Sequence, residues 1–346
     1  MKEQTRRQFL SRGFSGVAVA SGGLLSLRSL SSLAATPQQP PSATPGQRSY
    51  QAGKFGLELD GQFAGWINSA QGGQAVSDEV TGTKRPGGVQ TKQVGGLKFQ
   101  DMLVTCRTGM SGSYYNWIKN SLGGQILRKN GAVVTCDYNF HPVSRMEWFN
   151  AAITEIGFPA CDAGSKDPAK MTVKFAPEQV RFAAGSPAVN YEVNTKQPTP
   201  QKWSLGGFRL AIDGIDCSGV NKIEAINVNT HYAASQAKAP GQATGRPQEQ
   251  ISGIVVTLPE AYSEGFRKWF QASVVQGNTG MGEKTGKLEY LAANLNAPLF
   301  GLTFQRLMIV KLTQLPVSPG AAAIRQVQAE MYCESLGFDW SAAALA

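Results

Sequence analysis

The stretch Phe55-Gly56-Leu57-Glu58-Leu59-Asp60-Gly61 decides how this chain is read, because it occurs twice. It returns as Phe208-Arg209-Leu210-Ala211-Ile212-Asp213-Gly214, 153 residues later. In each copy apolar residues alternate with polar or small ones, the period-two pattern of a half-buried strand. Asp-Gly then supplies a tight turn, since glycine accepts positive φ without steric cost. Asp60, Gly61, Asp213 and Gly214 are therefore read as hairpin-turn residues.

Working outward, the echo continues in order. Leu103-Val104-Thr105 returns as Val255-Val256-Thr257, and Trp117-Ile118 as Trp269-Phe270, both 152 residues on. Trp148, Ile153 and Ile156 return as Phe304, Ile309 and Leu312 at a spacing of 156. Met171, Phe175, Glu178 and Phe182 return as Val327, Met331, Glu334 and Phe338 at the same spacing. A conserved order with a slowly drifting spacing is the mark of a tandem duplication of one domain of roughly 130 residues, a normal domain size.

Within each copy the pattern predicts strands at 102–105, 132–140, 145–156 and 171–182, then at 254–257, 299–311 and 327–338. One helix per copy is expected, over 113–122 and 263–274, with Ser113 and Ser263 as N-caps. Tyr114, Trp117 and Ile118 share one helical face, as do Phe266, Trp269 and Phe270, which reads as core packing. A long polar, glycine-rich connection follows the opening strand of each copy, at 71–97 and 227–250, and reads as a structureless arm. Each arm holds a Thr-x-Arg-Pro: Thr83-Lys84-Arg85-Pro86 and Thr244-Gly245-Arg246-Pro247. These are read either as solvated loops or as contacts to a neighbouring subunit.

Composition agrees with a β-rich, turn-rich fold. The 346 residues include 39 glycines, and only 16% are charged. The formal net charge is +9, but Lys2, Arg6, Arg7, Arg12 and Arg28 against Glu3 concentrate much of it at the N-terminus. The remainder is mildly basic, with no compact Lys/Arg stripe interleaved with aromatics, so nucleic acid is not an expected partner.

That N-terminus, Thr5-Arg6-Arg7-Gln8-Phe9-Leu10, resembles a twin-arginine export signal, with Arg6, Arg7, Phe9 and Leu10 as its signal residues. A short apolar stretch over 14–27 follows, interrupted by Arg28, and Ser32, Ala34 and Ala35 offer a cleavage site. No stable membrane anchor is expected from so short a stretch. The expected organisation is a signal peptide over 1–35, a Pro-rich spacer over 36–50, a first domain over 51–183, a linker over 184–204 and a second domain over 205–340. The expected location is periplasmic or extracellular, with the twin-arginine translocase as a partner during export.

Catalytic signatures are missing from the sequence. Cys106, Cys136, Cys161, Cys217 and Cys333 form no Cys-x-x-Cys pair and are not duplicated. They read as small core residues, with one or two disulfides open as an alternative. His141 and His231 sit at non-equivalent positions, so no duplicated His-based site exists. His141 near Asp137 and Cys136 is the one arrangement with metal-binding residue types, against a plain strand histidine. No Gly-x-Ser-x-Gly elbow, Walker loop or dinucleotide fingerprint occurs. The duplicated Glu178 and Glu334 read as a strand-edge or intersubunit contact. The expectation is a protein without cofactor or metal and without enzymatic activity.

The Phe-x-Leu-x-Leu-Asp-Gly opening resembles the tail-tube protein family of contractile phages, whose fold also serves the inner tubes of type VI secretion. So do Ala64-Gly65, Asn150-Ala151-Ala152-Ile153-Thr154-Glu155-Ile156, Phe158-Pro159-Ala160 and the closing run from Lys170 to Glu178. The resemblance implies a mainly β (α+β) fold: two tandem small β-barrel or sandwich domains, each with one flanking helix. It also implies six-membered rings that stack into a tube, with the long loops at Thr83, Lys84, Arg85, Pro86, Thr244, Arg246 and Pro247 serving subunit stacking. A duplicated chain would then make the ring as a homo-trimer with pseudo-six-fold symmetry. The alternative is a periplasmic β-sandwich module that binds a glycan or peptide, and after it an exported enzyme.

Overall fold

Asp60 and Gly61 both take left-handed backbone, φ 47° and 79°, as a two-residue hairpin loop of the type that matches strand twist requires. They join β1 (Lys54–Leu59) to β2 (Gln62–Ile67). The computed structural model describes residues 53–84, 88, 90–186, 190–191, 201–231, 248–277, 282–316 and 324–345. The signal residues 1–35, the spacer 36–50 and most of the linker lie outside the described residues.

The rest of the first half comprises β3 (Ser69–Gln71), β4 (Ala75–Lys84), β5 (Gln90–Phe99), β6 (Met102–Cys106), α1 (Gly112–Leu122), β7 (Lys129–Cys136), β8 (Pro142–Phe158), β9 (Cys161–Asp162), β10 (Met171–Ala176) and β11 (Gln179–Ala184). The second half comprises β12 (Trp203–Ile212), β13 (Lys222–Ile223), β14 (Ile226–His231), β15 (Gln248–Ile251), β16 (Ile254–Pro259), α2 (Glu264–Phe270), β17 (Lys284–Ala292), β18 (Pro298–Gln314), β19 (Gln326–Tyr332) and β20 (Ser335–Trp340). The protein is mainly β, in barrel-like sheets, and among the described residues each half has one α-helix.

One pairing scheme serves both halves. The order β1-β7-β8-β10-β6-β3, with β11 also on β8, is matched by β12-β17-β18-β19-β16-β13, with β20 also on β18. The match extends to register. Val173 opposes Val104 and Ile156 in the first half, as Ala329 opposes Val256 and Leu312 in the second. Trp148 opposes Val180 as Phe304 opposes Leu336, and Leu57 opposes Val133 as Leu210 opposes Leu288. Each long strand bends once at a left-handed residue: Asn150 at φ 54° and Arg306 at φ 53°. The bend lets one strand serve two sheets, as barrel corners require.

Several local expectations need correction. The arm at 71–97 is a long antiparallel hairpin, β4 on β5, rather than a structureless connection. Its legs carry β-branched residues (Val76, Val80, Thr81, Thr91 and Val94) that stabilise extended backbone despite the glycines around them. The runs at 171–182 and 327–338 each break into two strands, at Pro177-Glu178 and at Cys333-Glu334. The first helix is capped by Ser111, whose hydroxyl accepts from the Tyr114 N–H, not by Ser113. Ser263 stands before α2, but its hydroxyl donates to the Glu260 carbonyl and makes no cap bond. That helix passes into a π-turn over residues 271–275. Strand β17 has no counterpart among the strands read from the sequence.

The apolar interior runs through both halves. Trp148 and Trp117 pack on Phe175, with ring centres 4.9 and 5.5 Å apart. Tyr115, Phe300, Phe338 and Phe158 form a second aromatic run, at 5.3, 5.8 and 5.6 Å, and it crosses from one half to the other.

Candidate functional site: the joint between the halves

The two halves meet through backbone. Strand β14 of the second half adds to the outer side of β8 in the first, Ile226 opposite Phe158 and Asn229 opposite Glu155. Beside it, β13 pairs with β9, Lys222 opposite Asp162. Residues 155–157 of β8 thus lie between β10 and β14, with ladder partners on both sides. Ile156, Phe158, Ile226 and Val228 are all buried here, and their alternation along each strand turns one face into the shared interior.

Helix α1 completes the joint by packing on β20. Lys119 pairs with Asp339 at 2.6 Å, the Trp340 indole N–H donates to Asn116, and the Tyr115 and Trp340 rings lie 5.7 Å apart. The turn over Ala342–Ala344 closes over this helix: the Gly109 N–H and the Tyr115 hydroxyl both donate to the Ala344 carbonyl. Burial pushes the Tyr115 hydroxyl far above its usual range, so it stays a neutral donor. Apolar packing, backbone ladders and two exposed ion pairs, Lys119–Asp339 and Lys222–Asp162, hold the joint.

The residues singled out in the sequence fall as follows. Asp60 forms the hairpin loop, and its carboxylate accepts from the Lys129 ammonium and the Asn130 N–H. Gly214 is left-handed at φ 70°, but the turn it makes with Asp213 closes only a single bridge, Ile212 to Ile215. Thr83 and Lys84 end strand β4, at the far tip of the arm. Arg85, Pro86, Thr244, Arg246 and Pro247 lie outside the described residues, as do Arg6, Arg7, Phe9 and Leu10.

Glu178 and Glu334 hold the two bends. Glu178 accepts from Arg128 at 2.9 Å and from the Asn150 amide at 2.6 Å, and Glu334 accepts from Arg306 at 2.7 Å. The Glu178 N–H donates to Phe149 and the Glu334 N–H to Gln305, the residue preceding each left-handed position. A sequence repeat marks these carboxylates as important but cannot show that each clasps its own strand.

Among the described residues no group of three or more His, Cys, Asp or Glu side chains is placed to hold a metal ion. The Asp137 carboxylate accepts from the backbone N–H groups of Asn139 and His141, closing a turn. None of the five cysteines is bridged, and Cys106, Cys136, Cys161 and Cys333 are buried. Burial pushes the Cys106 thiol up to about 11 and the Cys161 thiol up to about 12, which keeps both protonated and inert. No helix among the described residues is long and apolar enough to cross a membrane. A solvent-open cleft lies beside the joint, lined by Trp66, Arg107, Lys166, Lys202 and Trp203.

By sequence, no protein family and no curated protein matches the chain. Solved structures do match in part. A chain of the "Extracellular Contractile Injection System, PVC sheath-tube complex in extended state" is 18% identical, with a TM-score of 0.35 over 40% of this chain and 94% of its own. A chain of the anti-feeding prophage cap, the "AFP tube terminating cap", is also 18% identical, with a TM-score of 0.35 over 40% of this chain and 93% of its own. Hcp1 from Flavobacterium johnsoniae is 15% identical, with a TM-score of 0.27 over 39% of this chain and 95% of its own.

Proposed function

We propose that this chain is an exported structural subunit that polymerises with its own copies into pseudo-six-fold rings, three chains to a ring, stacked as a tube or filament. The observation that carries the reading is the joint itself. Two halves with one pairing scheme and one register are linked by a strand that passes from the sheet of one into the sheet of the other. That arrangement supports an origin by tandem duplication, with modules over 51–183 and 205–340 and a linker between them. A module built to be extended by strand addition suits an assembly, since every added copy pairs the backbone groups the last one left open.

The reading includes no catalytic role. The Arg6-Arg7-Phe9-Leu10 signal supports export through the twin-arginine translocase, and the Thr83-Lys84-Arg85-Pro86 and Thr244-Gly245-Arg246-Pro247 segments are assigned to stacking between rings. Folding before export would hold assembly back until the chain reaches the periplasm or the outside of the cell. Electron microscopy of the exported fraction and of purified protein tests this. Rings, tubes or filaments of the purified chain are the expected result; a protein that stays monomeric at high concentration overturns it.

A second reading, a periplasmic module binding an acidic glycan or peptide, is favoured by the cleft with its two tryptophans and three cations. Calorimetry against uronic-acid oligosaccharides tests it, and saturable binding by a persistently monomeric chain would decide in its favour.

A further inference from the structure

The joint between the halves uses one face of each half, and among the described residues the two complementary faces have no strand partner. The outer side of β8 at 155–157 carries β14; the matching stretch of β18, residues 311–313, pairs with β19 on one side and with no described strand on the other. Among the described residues strand β4, the counterpart of β14, pairs with β5 alone. The correspondence follows from connectivity: Ile251 opposes Val228 three residues before β16 begins, and Phe99 opposes Ala75 three residues before β6 begins.

Side-chain exposure gives a second, independent sign. Phe338 lies against Phe158 in the joint and is 2% exposed, whereas its counterpart Phe182, at the same register position on β11, is 66% exposed. Leu122 at the end of α1 is 5% exposed, and its counterpart Val274, after α2, is 44% exposed. Each residue pair is chemically alike and differs in what covers it. Phe182 lies on the first half and Val274 on the second, the sides that the internal joint leaves bare.

We infer that a second copy of this chain docks here head to tail, its β4–β5 hairpin adding to the open side of β18 and its Phe182 face meeting the α2 end that carries Val274. The register follows from the internal joint: Gln74 opposite Thr313, Ala75 opposite Leu312, and Val76 opposite Lys311. This rests on the self-assembly reading and specifies its contact. The two faces are different surfaces of one molecule, so the interface is heterologous and propagates from copy to copy. Lone copies carry a charged arm, with Asp78 paired to Lys98 and Glu79 to Lys92 across the hairpin, which discourages indiscriminate edge pairing.

Complementation of two blocked variants of the full-length exported protein tests this. Phe182→Asp damages one face and Val274→Asp the other, both at exposed positions, and unchanged melting curves check that the fold survives. Each variant alone should sediment as a monomer where the unaltered chain assembles. An equimolar mixture should form a dimer and nothing larger, because one good face of each kind remains. A Gln74→Cys, Thr313→Cys double variant should form oxidative cross-links between copies at least tenfold faster than Gln74→Cys, Leu312→Cys, whose second thiol points to the opposite face. Assembly by either blocked variant, a mixture that stays monomeric, or equal cross-linking of the two cysteine pairs overturns the inferred contact while leaving self-assembly in place. Failure of the unaltered chain to assemble overturns the functional reading itself.

Discussion

The C-terminal reaches of β8 and β18 have the same register with their neighbours and opposite fates. Phe158 and Ile156 of β8 are closed in by Ile226 and Val228, all four buried. The positions that match them are Gln314 and Leu312 on β18, with Gly73 and Ala75 on the arm. The internal joint is sealed by large apolar side chains; the inferred contact between copies would rest on backbone pairing, small residues and the exposed Phe182 and Val274. The difference teaches that the inner joint belongs to the fold, and it leaves the matching stretch of β18 open for the association inferred above. Net hydrogen bonds contribute only about 1 kcal/mol each, so a contact built mainly on them forms with rising concentration and can be undone.

Matched substitutions break this comparison most sharply. Val228→Asp puts an unpaired carboxylate in the inner joint and should cost about 3–5 kcal/mol, lowering the melting temperature by roughly 10 °C. Ala75→Asp, at the matching arm position, should leave melting within about 2 °C of the parent, as exposed substitutions do, yet abolish polymers seen by electron microscopy. Equal thermal effects would show that the two positions are not counterparts.

Truncating the paired phenylalanines sharpens it at a smaller scale. Phe338→Ala empties a buried site and should cost about 3–4 kcal/mol in chemical denaturation. Phe182→Ala should change the stability of the monomer by less than about 0.5 kcal/mol. In the assembled state the gap should narrow, because Phe182 is then covered as well.

How much of this was legible beforehand follows from what each feature depends on. The opening strand and the helix of each half were visible because strand alternation and the spacing of Trp117 and Trp269 are local patterns. Asp60-Gly61 was visible because the turn needs two left-handed residues in sequence. The arm hairpin was hidden by its glycines, which mask the β-branched residues between them. Strand β17 was hidden too, since Leu288, Tyr290 and Leu291 break strict alternation where both faces become buried. The joint could not be read at all: β14 and β8 are far apart in sequence, and only a folded chain shows which edge is filled. Exposure of Phe182 against burial of Phe338 is likewise a property of position, since residue type and repeat phase are the same.

The bends offer a subtler contrast between the halves. Glu178 holds both Arg128 and the Asn150 amide, whereas Glu334 holds Arg306, which also binds Glu283 at 2.9 Å. Glu178→Gln should cost about 1 kcal/mol, in the range for hydrogen bonds to charged groups near a surface. Glu334→Gln should cost less, because Arg306 keeps its second carboxylate. Denaturant titration of both variants checks the order.

The smallest effect concerns acid. Hydrogen bonds from Arg181 hold the Glu147 carboxyl below the usual carboxylate range, against an opposing push from partial burial, and Arg145 adds to the lowering. Lys287 does the same for Glu289 in the second half, with Arg209 assisting. A carboxylate with a lowered native pKa binds fewer protons folded than unfolded. Its stabilisation is therefore complete above the unfolded value of about 4.3 and is lost as pH falls through the depressed native value. Glu147→Gln and Glu289→Gln should each flatten the loss of stability below about pH 4.5, by a few tenths to about 1 kcal/mol, as paired surface carboxylates do. Both pairs span neighbouring strands within one half, Arg181 opposite Glu147 and Arg209 opposite Glu289, so the acid response should be the same in monomer and polymer. An acid midpoint that shifts on assembly would place one of these pairs at the outer joint, and the division between a sealed inner contact and an open outer one would have to be redrawn.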